Sequence, residues 1–274
     1  MFSLKTDPSF DYNQTEKYKL SIQVNPDGFS FSVLQPNAPK LIALGWFPVT
    51  VSSEKFLGRR FTEWFENQNI LNKKYAETRL SWFSPKYTLI PSAFYEYKQQ
   101  KLAIDLNFGE QHGNAVRDNY LPDIKANLIF TVPNALTEAF KKIAPDGLIH
   151  HPVALFHRKI QEKYSEEKNK VLLALYFREK AFSLLLYQDG EWVQNNNFSY
   201  IHQNDVVYYV LSVLKTLKVS SSKTFLLLAG HIKENDTVHA LLSGFFGKTA
   251  FFEPSCQYNK TVFDEPLHLY LPLI

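Results

Sequence analysis

The sequence predicts an α/β protein in which one order of elements occurs twice: a three-strand antiparallel meander, a helix, then alternating strands and helices. Two changes of hydrophobic period and one charged linker carry that reading. In YKLSIQVN, Leu20, Ile22 and Val24 alternate at period two, which marks a half-buried strand. The turn NPDG leads to FSFSVLQ, where Phe29, Phe31 and Val33 alternate, and after PNAP comes the apolar run LIALGWFPV from Leu41 to Val49. Beyond Ser52 and Ser53, either of which can cap a helix, the period becomes helical. Leu57, Phe61, Trp64, Phe65 and Leu71 share one face as far as about Tyr75.

The charged segment KYSEEKNK at 163–170 separates this half from the next. VLLALYF (171–177), AFSLLLYQ (181–188) and WVQNNNFSY (192–200) read as the second meander, with Asp189–Gly190 as a tight turn. Asn204 or Asp205 then caps a helix carrying Val207, Val210, Leu211, Leu214 and Leu217. TFLLLAGHI (224–232) is a fully apolar strand. A helix from about Asn235 to Phe246 presents Val238, Leu241, Leu242 and Phe245, and TAFFEP closes the half. The counterparts in the first half are ANLIFTVP (126–133), a helix capped by Asn134 with Leu136, Ala139, Phe140 and Ile143, the strand GLIHHP, and a helix from Val153 to about Tyr164.

The division expected is therefore an N-terminal tail (1–16), a first half (17–165) with an insertion at about 77–125, and a second half (166–274) ending in a tail at about 255–274. The insertion is too long for bare loop, so it should hold a strand near Lys86–Ile90, a helix after Pro91 and an exposed polar segment from Gly109 to Asn119. In the tail, Leu267, Leu269, Leu271 and Leu273 recur at period two, as in an edge strand open to self or partner, or a segment docked on its own fold.

A net charge of +3 over 274 residues gives no footprint for nucleic acid. No apolar run reaches membrane-spanning length and the opening stretch has no leader pattern, so a cytoplasmic protein without membrane insertion is expected. The single cysteine, Cys256, fits a reducing compartment. Glycine is scarce: 10 residues, about half the usual share of ~7%. Loops that wrap phosphate need glycine, so this shortage weighs against a nucleotide enzyme.

The repeated order of elements resembles the duplicated ribonuclease-H-like domains of the actin and heat-shock-chaperone ATPase superfamily. More narrowly, TLIPSAFY, LIFTVPNALTEAFKKIAPDGLIHHPVALFHRKI and LLLAGHI resemble a family of uncharacterised bacterial proteins with an actin-like ATPase fold. That family is distantly similar to the actin-like component of pilus-assembly machinery, and the resemblance runs from about 17 to 254. It implies nucleotide in a cleft between the halves, held by a hairpin after the first strand of each half. Each hairpin would read Asp, any residue, Gly, then Ser or Thr, with a glycine pair near the adenosine.

The residues depart from that pattern. The first hairpin reads Asn25, Pro26, Asp27, Gly28, Phe29, which satisfies turn geometry but has neither the Asp-to-Gly spacing nor the hydroxyl. The second reads Arg178, Glu179, Lys180, a charged hairpin tip with no glycine or aspartate. LLLAGHI offers Ala229 and Gly230 as a partial glycine pair, or Gly230 as a strand-to-helix turn. The expectation is a pseudo-ATPase: a noncatalytic scaffold or assembly protein with an unknown protein partner and no cofactor. The alternative is a divergent protein binding ATP and Mg through Asp27, Gly28 and Gly230. His150, His151 and His157, and the pair His231 and His239, lack zinc spacing with a third ligand and are expected to be structural or exposed.

Overall fold

The alternating residues of the first meander build β2 (Lys19–Asn25), β3 (Gly28–Gln35) and β4 (Lys40–Pro48), preceded by a short β1 (Ser3–Thr6). The computed structural model describes residues 3–25, 28–36, 39–49, 53–166 and 170–274. Among these, the helix α1 (Leu57–Glu66) follows the meander, with Ser53 Oγ accepting from Lys55 N–H just before it. It stops well short of Tyr75 because the Asn67 side chain donates to the Glu63 carbonyl (2.7 Å) and closes the last turn. Leu71 is still buried, from a turn rather than a helix.

Then come β5 (Glu77–Trp82), β6 (Tyr87–Pro91), α2 (Gln100–Phe108), β7 (Asn114–Leu121), β8 (Ala126–Pro133), α3 (Asn134–Ile143), β9 (Leu148–His150) and α4 (Pro152–Tyr164). The second half follows with β10 (Val171–Arg178), β11 (Ala181–Gln188), β12 (Glu191–Ser199), α5 (Gln203–Thr216), β13 (Thr224–Gly230), α6 (Thr237–Ser243) and β14 (Lys248–Phe251). Two compact units result. One comprises Met1–Leu155, Ser255–Glu265 and Pro272–Ile274; the other comprises Phe156–Pro254 and Pro266–Leu271. The division falls inside α4 rather than in the 163–170 segment, because the helix continues unbroken while Phe156 already packs on Tyr176 and Phe252.

In the first unit a six-stranded sheet has the order β1-β4-β3-β2-β5-β9, with β2, β5 and β9 parallel. Phe61, Trp64 and Phe65 of α1 meet Phe29, Phe31 and Phe47 of the sheet in one aromatic cluster. Each such buried ring contributes about 2–3 kcal/mol of apolar burial. The other face is buried as well, and polar: Ser21, Gln23, Asn25, Ser30, Ser32 and Ser81 all lie out of solvent. Part of its cover is the chain's own end, since Ser32 Oγ donates to the Leu273 carbonyl. The expected half-buried strands are thus buried on both faces.

The strand that extends the meander of this sheet is β5, paired from Lys19↔Glu77 to Val24↔Trp82, and not ANLIFTVP. ANLIFTVP is β8, the centre of a separate antiparallel sheet of order β6-β8-β7, whose outer strands β6 and β7 lie in the inserted segment. A central strand needs the more apolar sequence, which is why β8 resembled the core strand that ETRLSW actually provides. The polar segment from Gly109 to Asn119 is also corrected: from Asn114 onward it is β7.

The second unit has the order β12-β11-β10-β13-β14, with β10, β13 and β14 parallel. Its core joins Leu173, Leu175, Leu184 and Leu226 to Val206, Val210 and Leu214 of α5 and to Val238 and Leu242 of α6. The helix α5 is capped at His202, two residues before Asn204 and three before Asp205, the predicted caps. Asp205 accepts from the His202 N–H (2.8 Å), and the buried stripe begins at Val206 rather than Val207. Because α6 ends at Ser243, Phe246 is buried and Phe245, expected in the core, is 45% exposed. The tail forms 3-10 turns over Leu267–Leu273 and not a strand; Leu267, Leu271 and Leu273 are buried.

Asp7, in the expected N-terminal tail, is held in place by Ser9 and Lys40. Ser9 N–H (2.9 Å), Ser9 Oγ–H (2.5 Å) and Lys40 Nζ (3.0 Å) all donate to Oδ1. The hydrogen bond from the Ser9 hydroxyl, with Ser9 N–H and the Lys40 charge behind it, lowers the carboxyl from 3.8 to about 2. A lowered folded-state value stabilises above the unfolded value and the benefit disappears as pH falls towards 2. Stability should therefore drop by roughly 1–2 kcal/mol across that window on this account, and Asp7→Asn should flatten the drop in acid titrations of unfolding.

Candidate functional site

In open α/β sheets ligands sit beyond the carboxyl ends of the parallel strands, and the second predicted hairpin follows such an end, that of β10. In the second unit, β10 and β13 finish in register at Phe177↔Gly230. Gly230 has φ +79°, and a Cβ there would lie 2.1 Å from the Phe177 carbonyl oxygen and 3.0 Å from its nitrogen. That carbonyl accepts from His231 N–H (3.0 Å), and Ile232 N–H returns to the Gly230 carbonyl (2.8 Å). Glycine is required here by the chain's own backbone, at the end of a strand.

The hairpin beyond Phe177 turns through Glu179 and Lys180, with Lys180 in the left-handed region at φ 57°. Glu179 and Lys180 are exposed as expected; Arg178 is half-buried, with Nη1 shielded from solvent. Arg178 is the last residue of β10.

In the first unit the corresponding strand ends are Asn25 and Gly28, which are paired across β2 and β3. Pro26 and Asp27 lie outside the described residues. Asn25 is buried and accepts from Gln23 Nε2 (3.3 Å). Gly28 faces β4 so closely that a Cβ would fall 2.5 Å from the Phe47 carbonyl oxygen. Of the three candidate cofactor residues, Gly28 belongs to the first unit and Gly230 to the second.

The histidines occupy separate settings. His151 is fully buried against Phe83, Tyr87 and Phe130. Its Nε2–H donates to the Ser84 carbonyl (2.9 Å) while Nδ1 accepts from Val153 N–H (3.3 Å), which fixes a neutral ring with its proton on Nε2. His157 Nδ1 lies 2.9 Å from the Tyr187 hydroxyl, and the ring stacks on Trp192 at 4.4 Å. His239 Nδ1 meets the Glu234 carbonyl. His268 stacks on Phe251 and bonds the Ile232 carbonyl (2.8 Å), and burial pushes its pKa down. No group of three or more His, Cys, Asp or Glu among the described residues could hold a metal.

Sequence reasoning missed four exposed apolar residues. On the inserted segment Phe94 and Leu106 are each 78% exposed, with Tyr97 and Leu102 also exposed. Leu102 and Leu106 are one helical turn apart on α2, while Ile104, on the same helix, is fully buried. With apolar residues on both faces of so short a helix, periodicity alone cannot tell the covered face from the bare one.

The two sheets share one order of strands, β4-β3-β2-β5-β9 and β12-β11-β10-β13-β14, each a meander extended by parallel strands. This is the actin-like ATPase fold. A Bacteroides thetaiotaomicron protein "with actin-like ATPase fold and unknown function" matches with TM-score 0.81 and 21% identity, over 96% of this chain and 98% of that one. The PilM–PilN type IV pilus biogenesis complex matches with TM-score 0.66 and 11% identity, over 93% of this chain and 97% of that one. The chain belongs to the family described as "Protein of unknown function (DUF3822)", whose model matches residues 7–248. No curated protein matches its sequence.

Proposed function

We propose that this protein is a noncatalytic member of its fold class, a scaffold or assembly subunit that works by binding another protein. The observation that carries the reading is the position of the two glycines on which nucleotide binding would depend. Gly28 and Gly230 are each closed onto a neighbouring main-chain carbonyl, that of Phe47 and that of Phe177. Their missing side chains serve sheet packing, and Arg178 occupies the end of β10, the strand that leads into the second hairpin.

A protein partner is supported by the exposed Phe94, Tyr97, Leu102 and Leu106, since apolar exposure of this kind marks interaction surfaces. It is also supported by the similar fold in the PilM–PilN complex, a structure in which such a protein is joined to another. No helix among the described residues is long and apolar enough to cross a membrane. With a single, half-buried cysteine, we place the protein in a reducing compartment, the cytoplasm.

The test is a thermal-shift panel with Mg-ATP and Mg-ADP, paired with a hydrolysis assay on the purified protein. The expected result is an unchanged melting temperature and no turnover. A rise of several degrees at millimolar nucleotide would mean binding to the native state and would restore the ATP and Mg reading through Asp27, Gly28 and Gly230.

A further inference from the structure

The first unit carries a groove of about 720 Å³, a volume in the range of ligand sites. Leu20, Glu77 and Leu148 line it, so it lies at the amino ends of the parallel strands β2, β5 and β9, the opposite end of the sheet from Asn25. Neither Gly28 nor Gly230 lines it. Its floor is apolar: Leu20, Phe65, Leu71 and Tyr75 are buried, and Leu148 is 57% exposed.

Both walls are fixed by the chain's own hydrogen bonds. On one side Asn72 Nδ2 donates to the Glu66 carbonyl (2.6 Å) and the Tyr75 hydroxyl to the Ile70 carbonyl (2.7 Å). On the other, Gly147 N–H donates to the Ala144 carbonyl (2.9 Å). A preformed groove spares its ligand the cost of ordering it. Asn72 and Lys73 also line an adjoining hollow of about 390 Å³, together with Tyr12.

Two features identify the occupant. The first is an open strand edge. β9 joins β5 only from Arg79↔Leu148 onward, so Glu77 and Thr78, which line the groove, pair with β2 and with no other strand among the described residues. An extended main chain laid there continues the sheet where β9 begins, with every second side chain available to the apolar floor. The second feature is charge. Glu77 is held by Lys19 (2.7 Å), but Glu66 and Asp146 have no ion-pair partner among the described residues. The carboxyl ends of α1 and α3, at Glu66 and Ile143, add their partial negative charge. Of the two lysines in the lining, Lys74 lies 3.9 Å from Glu16, which leaves Lys73 to oppose them.

We propose that this groove binds an extended segment of a partner protein, an apolar residue flanked by lysine or arginine, added as a strand to the open edge of β5. The proposal is independent of the noncatalytic reading. Nucleotide binding would leave this groove unchanged, so the two tests fail separately.

The experiment selects random octapeptides displayed on phage against the full chain, then measures the enriched peptide, made synthetically, by fluorescence anisotropy. Enriched sequences should join an apolar residue to Lys or Arg. Affinity should fall about five- to ten-fold on Asp146→Lys and on Leu148→Ser, while Glu96→Lys, a matching charge reversal on the inserted segment, leaves it unaltered. Asp146, Leu148 and Glu96 are all exposed, so the fold should stand, and an unchanged melting temperature checks it. Methylating alternate backbone nitrogens of the peptide should abolish binding, because these are the donors of an added strand. Failure to enrich any peptide, or enrichment of acidic ones, would overturn the proposal. So would binding that is indifferent to Asp146→Lys, Leu148→Ser and the methylation.

Discussion

Replacing Gly230 by alanine should destabilise the protein by about 3–5 kcal/mol, the sum of left-handed strain and a collision with fixed backbone. The new Cβ would lie 2.1 Å from the Phe177 oxygen, a distance no rotamer can relieve. That oxygen is held by His231 N–H, and Phe177 and Gly230 are paired in the parallel ladder between β10 and β13. Relief would need the two strands to separate at the centre of the second unit's sheet. Denaturant unfolding should show a lower midpoint with an unchanged slope. Were Gly230 instead a nucleotide contact with room beside it, the substitution would cost binding and leave stability nearly unaltered.

His151→Leu should cost roughly 2–5 kcal/mol, although leucine is of similar size and apolar. The ring sits in an apolar cage of Phe83, Tyr87 and Phe130, but it also serves two backbone groups. Without it the Ser84 carbonyl, in the buried connection between β5 and β6, loses its donor and the Val153 N–H, in the buried first turn of α4, its acceptor. An unsatisfied buried group costs about 1–3 kcal/mol. Zinc added to the unaltered protein should leave its melting temperature unchanged; a rise would mean that the imidazole is available as a ligand.

How far the fold could be read depended on whether each strand's burial is written in its own residues. β10, β11 and β13 lie inside their sheet and are apolar nearly throughout, so their positions were legible residue by residue. β5 was not. Its sequence ETRLSW has few apolar residues, and its place beside β2 comes from tertiary pairing, with Arg79 Nε donating to Ser21 Oγ (2.7 Å) across the strands. β8 has the stronger pattern and serves a different sheet. The tail misled for a related reason: leucines two apart are buried in the 3-10 turns of Leu267–Leu273 at spacings that also suit a strand.

At the candidate site the glycines were visible in the sequence and their purpose was not. Turn composition singled out Gly28 and Gly230, but the carbonyls that exclude a side chain belong to Phe47 and Phe177, 19 and 53 residues away along the chain. The missing phosphate signature was legible at Arg178–Lys180, because three long side chains replace the glycine and aspartate of the resembling pattern. The half-burial of Arg178 was not, since a hairpin tip between two strands ordinarily faces solvent.

The most direct measurement of whether this fold is empty of nucleotide is calorimetric titration of the intact protein with Mg-ATP. Asp27→Ala serves as the companion, because a change at Gly230 confounds binding with folding. No saturable heat for either protein is the result expected of a noncatalytic scaffold. Saturable one-to-one binding to the unaltered chain, lost in Asp27→Ala without loss of stability, would contradict it.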